Sequence, residues 1–370
     1  MSPLRIALVA EDYYPQLGGV PEHVHNLALE LDALGHNATI VTSRMRMHGM
    51  VDGPSPRVRR VGQSVVIYAN GGVARVSVGW RFTTQLEQLF RKERFDLVHV
   101  HGGLNPTLGW VAPWAACRVG IPVVATFHSW FPRSVGYRLF RRQFQKLLDR
   151  HAATIAVSTA ARDAMARYFT APWEIIPNGV DTNFFRPSLM RRHGRPHPHL
   201  LWLGRIEPRN DLSTALEAMP FILDQYPAAR LTVVGDGPWR ARMERAARHL
   251  GQSVHFAGYA NGDRPLYYRA ADIYLCPTER ASFGITLLES MACGTPMIVS
   301  DLPAFRDVAG ANAVFVPVGQ AEAWGRAVNG LLADHERRVT MIQEGRGVAE
   351  RHAWPAIAQR VLGVYRRVLG

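Results

Sequence analysis

Lysine is nearly missing from this chain: of 43 basic residues only Lys92 and Lys146 are lysine, and the rest are arginine. Set against 30 acidic residues they leave a formal net charge of +13. That excess asks for an anionic partner, whether nucleic acid, an anionic membrane surface or a phosphorylated substrate. Arginine enrichment also follows coding bias, so the count alone says little about phosphate recognition. RNA- and DNA-binding signatures are absent, and nucleic acid is not expected as a partner. Cysteine is scarce too. Cys117, Cys276 and Cys293 lie in apolar stretches, too few for a disulfide framework or a metal site, and a reducing, cytoplasmic compartment is the expectation. No apolar run reaches the roughly 20 residues that a membrane-spanning helix needs. The first apolar run is followed directly by Glu11 and Asp12, so it reads as a buried strand and not as a signal peptide.

What is present is a double series of βα units. The 370 residues, 47% hydrophobic and 20% charged, suffice for two domains with real cores. Residues 4–10 form a short buried strand, and the loop after it reaches Gly18 and Gly19, which open a helix with Val24, Leu27, Ala28 and Leu31 on one face. A strand at 38–42 closes the unit. The glycine pair exposes backbone N–H groups where open parallel sheets bind ligands, although plain turn chemistry would also explain it. No G-x-G-x-x-G fingerprint is present. Strands at 95–101 and 122–128 end in His101 and His128. One such histidine is usually structural, and two favour a site. Over 137–149 an apolar stripe of Tyr137, Phe140, Phe144, Leu147 and Leu148 is flanked by Arg138, Arg141, Arg142 and Lys146. This predicts a basic amphipathic helix that either packs inward or lies on an anionic membrane. Proline and glycine cluster at 191–198, where periodicity vanishes, and this marks a linker.

The second series begins with a strand at 199–203 that runs into Gly204 and Arg205, then a strand at 230–234 that turns at Gly235. Its most informative stretch is 277–301. A loop turns at Ser282-Phe283-Gly284 and enters a helix through Ile285, Leu287, Leu288 and Met291, which Cys293-Gly294-Thr295-Pro296 stops before a short strand. Glycine at a helix start lets N–H groups approach an anion, and the helix dipole favours negative charge there. Glu289, about a turn into the helix, can accept hydrogen bonds from sugar or ribose hydroxyls. The expected division is 1–190, 191–355, and a C-terminal helix at 356–370 that packs back on the first domain.

The motifs GGV (18–20), DLVHVH (96–101), ATFH (125–128), AVS (156–158), IPNGVD (176–181), LGR (203–205), VGDGP (234–238) and ASFG through SD (281–301) run along nearly the whole chain. Together they resemble the retaining glycosyltransferases of family four. Within that family GGVPEHV, TFHSW and the closing HAW-to-VYRRV helix are most similar to phosphatidylinositol mannosyltransferases. The resemblance implies an α/β chain of the GT-B fold, with two Rossmann-like doubly wound domains facing a central cleft. It implies an activated sugar nucleotide held mainly by the C-terminal domain and an acceptor held mainly by the N-terminal one.

By that likeness Gly19 contacts the donor phosphate or sugar through its backbone, and His128 faces the transferred sugar. Arg205 holds the diphosphate, and Tyr259 lies near the base. Phe283, Gly284 and Ile285 offer N–H groups, and Glu289 binds the ribose. His128 and Arg205 are the expected catalytic pair. Gly18, Gly19, Arg205, Arg209, Asn210, Gly235, Tyr259, Phe283, Gly284, Ile285 and Glu289 make up the expected donor-binding set. No metal and no cofactor beyond the nucleotide-diphosphate sugar are expected.

The family pattern is broken in two places. Its diphosphate lysine falls at Asn210, followed by Asp211 where glycine is usual, and its first glutamate falls at Ala281. Arg209 and Glu279 compensate only if their side chains reach the same points. The implied function is retaining transfer of a hexose, mannose first, onto a lipid-linked or other membrane-proximal glycan acceptor by a cytoplasmic protein peripheral to the inner membrane face. The alternative is a non-catalytic GT-B protein that binds nucleotide sugar or scaffolds glycan assembly.

Overall fold

In the computed structural model the described residues are 2–15, 18–44, 56–69, 72–78, 82–102, 104, 107–187, 197–260 and 262–370. The chain forms two compact units, one of Met1–Gly179 with Trp354–Gly370 and the other of Val180–Ala353. The first therefore ends at Gly179, ahead of the proline- and glycine-rich stretch, and takes back the C-terminal helix. Most of that stretch, 188–196, lies outside the described residues.

The first unit holds strands β1 (Arg5–Ala10), β2 (Asn37–Ser43), β3 (Arg57–Val61), β4 (Gln63–Ala69), β5 (Gly72–Val78), β6 (Leu97–His101), β7 (Val123–Phe127), β8 (Ala153–Ala156) and β9 (Trp173–Ile175). Seven of these form one parallel sheet in the order β3-β2-β1-β6-β7-β8-β9, while β4 and β5 pair as a separate antiparallel hairpin. A parallel sheet is covered on both faces, so its strands read as continuous apolar runs. β1 shows the consequence. Ile6 and Leu8 face a core shared with Val24, Leu27 and Leu31 of the helix Gly19–Ala33 and with Ile357, Val361 and Leu362 of the helix Trp354–Leu369. Ala7 and Val9 face the other side, against Leu86, Phe90, Ala112 and Ala116.

The second unit contains β10 (His199–Leu203), β11 (Arg230–Val234), β12 (Val254–Gly258), β13 (Ile273–Cys276), β14 (Met297–Ser300) and β15 (Val314–Val316), ordered β12-β11-β10-β13-β14-β15 and parallel throughout. Leu200, Trp202, Leu231, Val233, Leu275 and Ile298 build its core against Leu216, Met219, Trp324 and Val328. Both units are Rossmann-like, as expected from the alternation of strands and helices.

The helix expected over 137–149 is two helices, Val135–Leu139 and Arg141–Leu148, because the backbone of Phe140 leaves the helical region and caps both. Tyr137, Phe144, Leu147 and Leu148 turn inward onto Phe127 and Phe169. Phe140, assigned by periodicity to the same stripe, is instead exposed, as are Val135 and Leu139. Among the described residues no helix is long and apolar enough to cross a membrane.

Candidate active site

In a doubly wound sheet, ligands bind beyond the carboxyl ends of the strands where the strand order reverses. In the second unit that point lies between β10 and β13, because β11 and β12 continue to one side and β14 and β15 to the other. The loop after β10 carries Arg205. Its path is set by Gly235, at φ 138°, where a Cβ would fall 1.9 Å from the Gly204 carbonyl oxygen. Gly204 N–H donates to Val234 and Ile206 N–H to Asp236, at 3.0 and 2.9 Å. Gly235 thus supports the arginine loop by permitting close backbone approach.

Beyond Arg205 lies a feature that motif reading missed. The Glu207 carboxylate stands between two guanidiniums, with Oε2 3.5 Å from Arg205 Nε and Oε1 2.5 Å from Arg209 Nε. Glu207 is mostly shielded, whereas both arginine side chains are more than half exposed. Asn210 donates from Nδ2 to the Arg205 carbonyl at 2.7 Å and so braces the loop from beneath. Asp211 adopts the left-handed conformation at φ 44°, which explains why glycine suits this position. The aspartate holds it by capping the next helix, accepting from Thr214 N–H at 3.3 Å and from Ser213 Oγ at 2.6 Å.

The loop after β13 is tied to the same turn, since Glu279 N–H donates to the Arg209 carbonyl at 2.8 Å. It ends at Gly284, φ 125°, where a Cβ would meet the Phe305 ring at 2.9 Å. Gly284 opens the helix Ile285–Cys293, whose first turn has neither a side-chain cap nor an acidic residue. The positive end of the helix dipole favours an anion there. Phe283 buries its ring and has only backbone to offer. Glu289 is 1% exposed. Its Oε1 lies 2.9 Å from Arg264 Nη1, and its Oε2 accepts from the Tyr268 hydroxyl at 2.9 Å. The Arg264 guanidinium also lies over the Phe185 ring, 5.3 Å from its centroid. A carboxylate has about four acceptor sites, so a ribose hydroxyl would share oxygens that already organise Arg264. Tyr259, just past β12, is half exposed.

In the first unit the order reverses between β1 and β6. Gly18 and Gly19 follow β1. A Cβ on Gly19 would meet nothing within 4 Å, and one on Gly18 only Pro21 Cδ at 3.7 Å. Local packing therefore does not require glycine at either position, which leaves room for close approach by a ligand. His101 ends β6 and His128 follows β7, with His101 Nδ1 and His128 Nε2 3.3 Å apart. His23, from the helix above, completes a cluster. Its ring centroid lies 4.7 Å from that of His128 and 5.2 Å from that of His101. Its Nδ1 donates to Asn178 Oδ1 at 2.9 Å. Behind them His99 bridges the Tyr365 hydroxyl and Thr126 Oγ1, at 2.6 and 2.7 Å.

Burial, first of all, pushes these imidazoles down. His23 falls to about 4, against a partial rise from Asn178. His99, His101 and His128 fall well below the ordinary value, with charges on neighbouring histidines adding to the effect. The cluster is therefore neutral at physiological pH, and His23 Nε2 and His101 Nε2 are buried without a hydrogen-bond partner among the described residues. Neutral imidazole accepts hydroxyl protons and binds metals. One ring nitrogen each from His23, His101 and His128 lies within 4.8 Å of the others, so among the described residues this is the set able to hold a metal ion.

Within each unit the expected residues lie beyond the carboxyl ends of the strands. Gly18 and Gly19 follow β1 and His128 follows β7 in the first, while in the second Arg205, Arg209 and Asn210 follow β10, Gly235 follows β11, Tyr259 follows β12, and Phe283, Gly284, Ile285 and Glu289 follow β13. His23, Asn178, Glu207, Arg264 and Tyr268 were not singled out from sequence. Only the R-I-E-P-R alternation of charge at 205–209 gave a local signal.

Residues 17–184 match the family described as Glycosyltransferase Family 4, and residues 188–348 match Glycosyl transferases group 1. A phosphatidyl-myo-inositol mannosyltransferase of Propionibacterium freudenreichii subsp. shermanii is 32% identical over 377 residues, covering 98% of this chain and 94% of that protein. A GDP-mannose-dependent alpha-(1-6)-phosphatidylinositol dimannoside mannosyltransferase of Mycobacterium tuberculosis is 30% identical over 379 residues, covering 97% and 95%. Among solved structures, sucrose-phosphate synthase from Thermosynechococcus elongatus superposes with a TM-score of 0.78 at 21% identity, covering 99% of both chains, a likeness of fold. The chain belongs to the group 1 and family 4 glycosyltransferases, with their GT-B fold.

Proposed function

We propose that this glycosyltransferase moves mannose from GDP-mannose, with retention of configuration, to a hydroxyl of a phosphatidylinositol-type lipid. The near full-length similarity to the Propionibacterium mannosyltransferase carries this reading. The GDP-mannose-dependent relative supports the choice of donor. Arg205, Arg209 and the N-terminus of the helix Ile285–Cys293 suit the diphosphate, and charge that develops on the departing phosphate is stabilised by such fixed donors. The acceptor oxygen bonds to the anomeric carbon as the bond to the diphosphate breaks, and the hydroxyl proton leaves with the diphosphate. His128 orients the sugar as a neutral acceptor. Arginines and a helix end supply the charge, so no metal is required.

The lipid end of the reading rests on Val135, Leu139 and Phe140, which are 76, 72 and 49% exposed beside Arg138, Arg141, Arg142 and Lys146. Apolar side chains ringed by cations suit the inner face of an anionic membrane, and the protein works there as a peripheral enzyme of the cytoplasm.

A second reading, a binder without turnover, is favoured by Asn210 and Ala281 alone. Thermal stabilisation by saturating GDP-, UDP- and ADP-sugars tests the donor. A ligand at 100 times its Kd adds about 2.7 kcal/mol, and GDP-mannose should give the largest shift. A response to UDP- or ADP-sugars alone would overturn the choice of donor.

A further inference from the structure

We propose that Glu207 is a positioning residue that presents Arg205 and Arg209 as a paired clamp for the terminal phosphate of the nucleoside diphosphate. The inference rests on the donor reading above. Four observations carry it. One mostly shielded carboxylate contacts both arginines through Nε, at 3.5 and 2.5 Å, which leaves the outer edges of two largely exposed guanidiniums turned away from it. The pair sits directly after β10, at the reversal of strand order. Asn210 is committed to the Arg205 carbonyl, so its side chain fixes the loop while Arg209 brings the second charge. Finally, Glu279 N–H holds the Arg209 carbonyl, tying the clamp to the segment that leads into the helix at Ile285. Two guanidiniums held on one carboxylate match a phosphate carrying two negative charges far better than two free ones, because the ordering is done before the ligand arrives.

The test is calorimetric binding of GDP and of GMP to the full chain and to Glu207→Gln, Arg209→Ala and the double variant. GMP lacks the terminal phosphate and serves as an internal control. We expect Glu207→Gln to weaken GDP about tenfold, the size of one lost charge-assisted contact, with GMP changed less than twofold and kcat for transfer falling with little change in the KM of the lipid. Arg209→Ala should weaken GDP by a similar factor, and the double variant should lose less than the product of the two single losses, since Glu207 acts partly through Arg209 and partly through Arg205. Tighter GDP binding by Glu207→Gln would make the carboxylate a competitor of phosphate and overturn the inference, as would unchanged affinity or equal losses for GDP and GMP. Failure of the unaltered protein to bind GDP would overturn the donor reading and the clamp together.

Discussion

His23 Nδ1 and Asn178 Oδ1 are hydrogen-bonded at 2.9 Å, joining the first helix to the last residues before the chain leaves the first unit. The amide oxygen can only accept, so it fixes the proton on Nδ1 and orients the ring beside His101 and His128, while burial, against the opposing pull of this hydrogen bond, keeps the ring neutral. Stability should therefore fall in acid. The folded-state value of His23 is about 4 against an ordinary 6.5, so below pH 6.5 the unfolded chain binds more protons than the native one. The stabilisation is complete above pH 6.5 and is lost progressively as pH falls toward 4, by about 3 kcal/mol for His23 alone. His99, His101 and His128 shift in the same direction and should steepen the loss. Urea unfolding at pH 7.5 and pH 5 measures it; equal stability would remove the neutral cluster from the native state.

Arg205→Ala should lower kcat for transfer by about 10²–10³, the usual scale for one lost transition-state donor, with less than a few degrees' change in Tm because its side chain is 57% exposed. Steady-state kinetics with a melting curve separate the two effects. Turnover within threefold of the unaltered protein would exclude Arg205 from the chemistry.

Glu289→Gln should behave differently. It removes a buried charge from between Arg264 and Tyr268, so both donor affinity and thermal stability should drop, the latter by a few kcal/mol as for a broken buried pair. A loss of affinity with unchanged Tm would assign Glu289 to the ligand alone.

If Leu139 and Phe140 meet the membrane as proposed, Leu139→Ser with Phe140→Ser should reduce binding to vesicles containing phosphatidylinositol by at least tenfold, the scale set by the apolar area withdrawn, while the melting curve stays put because both side chains are exposed. Cosedimentation at low and at 150 mM salt reads it. Undiminished binding would move the contact to another face.

Chelation offers a further check. Dialysis against EDTA should leave the transfer rate unchanged if cationic side chains and the helix end do the work. A rate restored only by an added divalent ion would place that ion at His23, His101 and His128, the described group able to bind one.

The fold was legible because strands buried on both faces, such as β1 and β13, must be apolar throughout, and the helices between them keep their own period. The strand-end residues were legible for the same reason: once a strand is placed, the residue after it is placed too, which located Arg205, His101 and His128. Contacts across elements were not. The charge alternation at 205–209 places Glu207 between two arginines in sequence but does not say that both side chains close on it, and nothing in the helix bearing Glu289 says that Arg264 and Tyr268 occupy its carboxylate. Phe140 misled because helical periodicity was carried through a residue whose backbone breaks the helix.

Transfer itself is measured most directly by incubating the full chain with GDP-[14C]mannose and phosphatidylinositol vesicles and counting label in the extracted lipid. Label should appear with GDP-mannose, exceed that from labelled UDP-glucose by at least tenfold, and be released as mannose by an α-mannosidase. Saturable binding of GDP-mannose with no label in lipid would contradict the proposed transfer and establish instead a protein that holds a sugar nucleotide without using it.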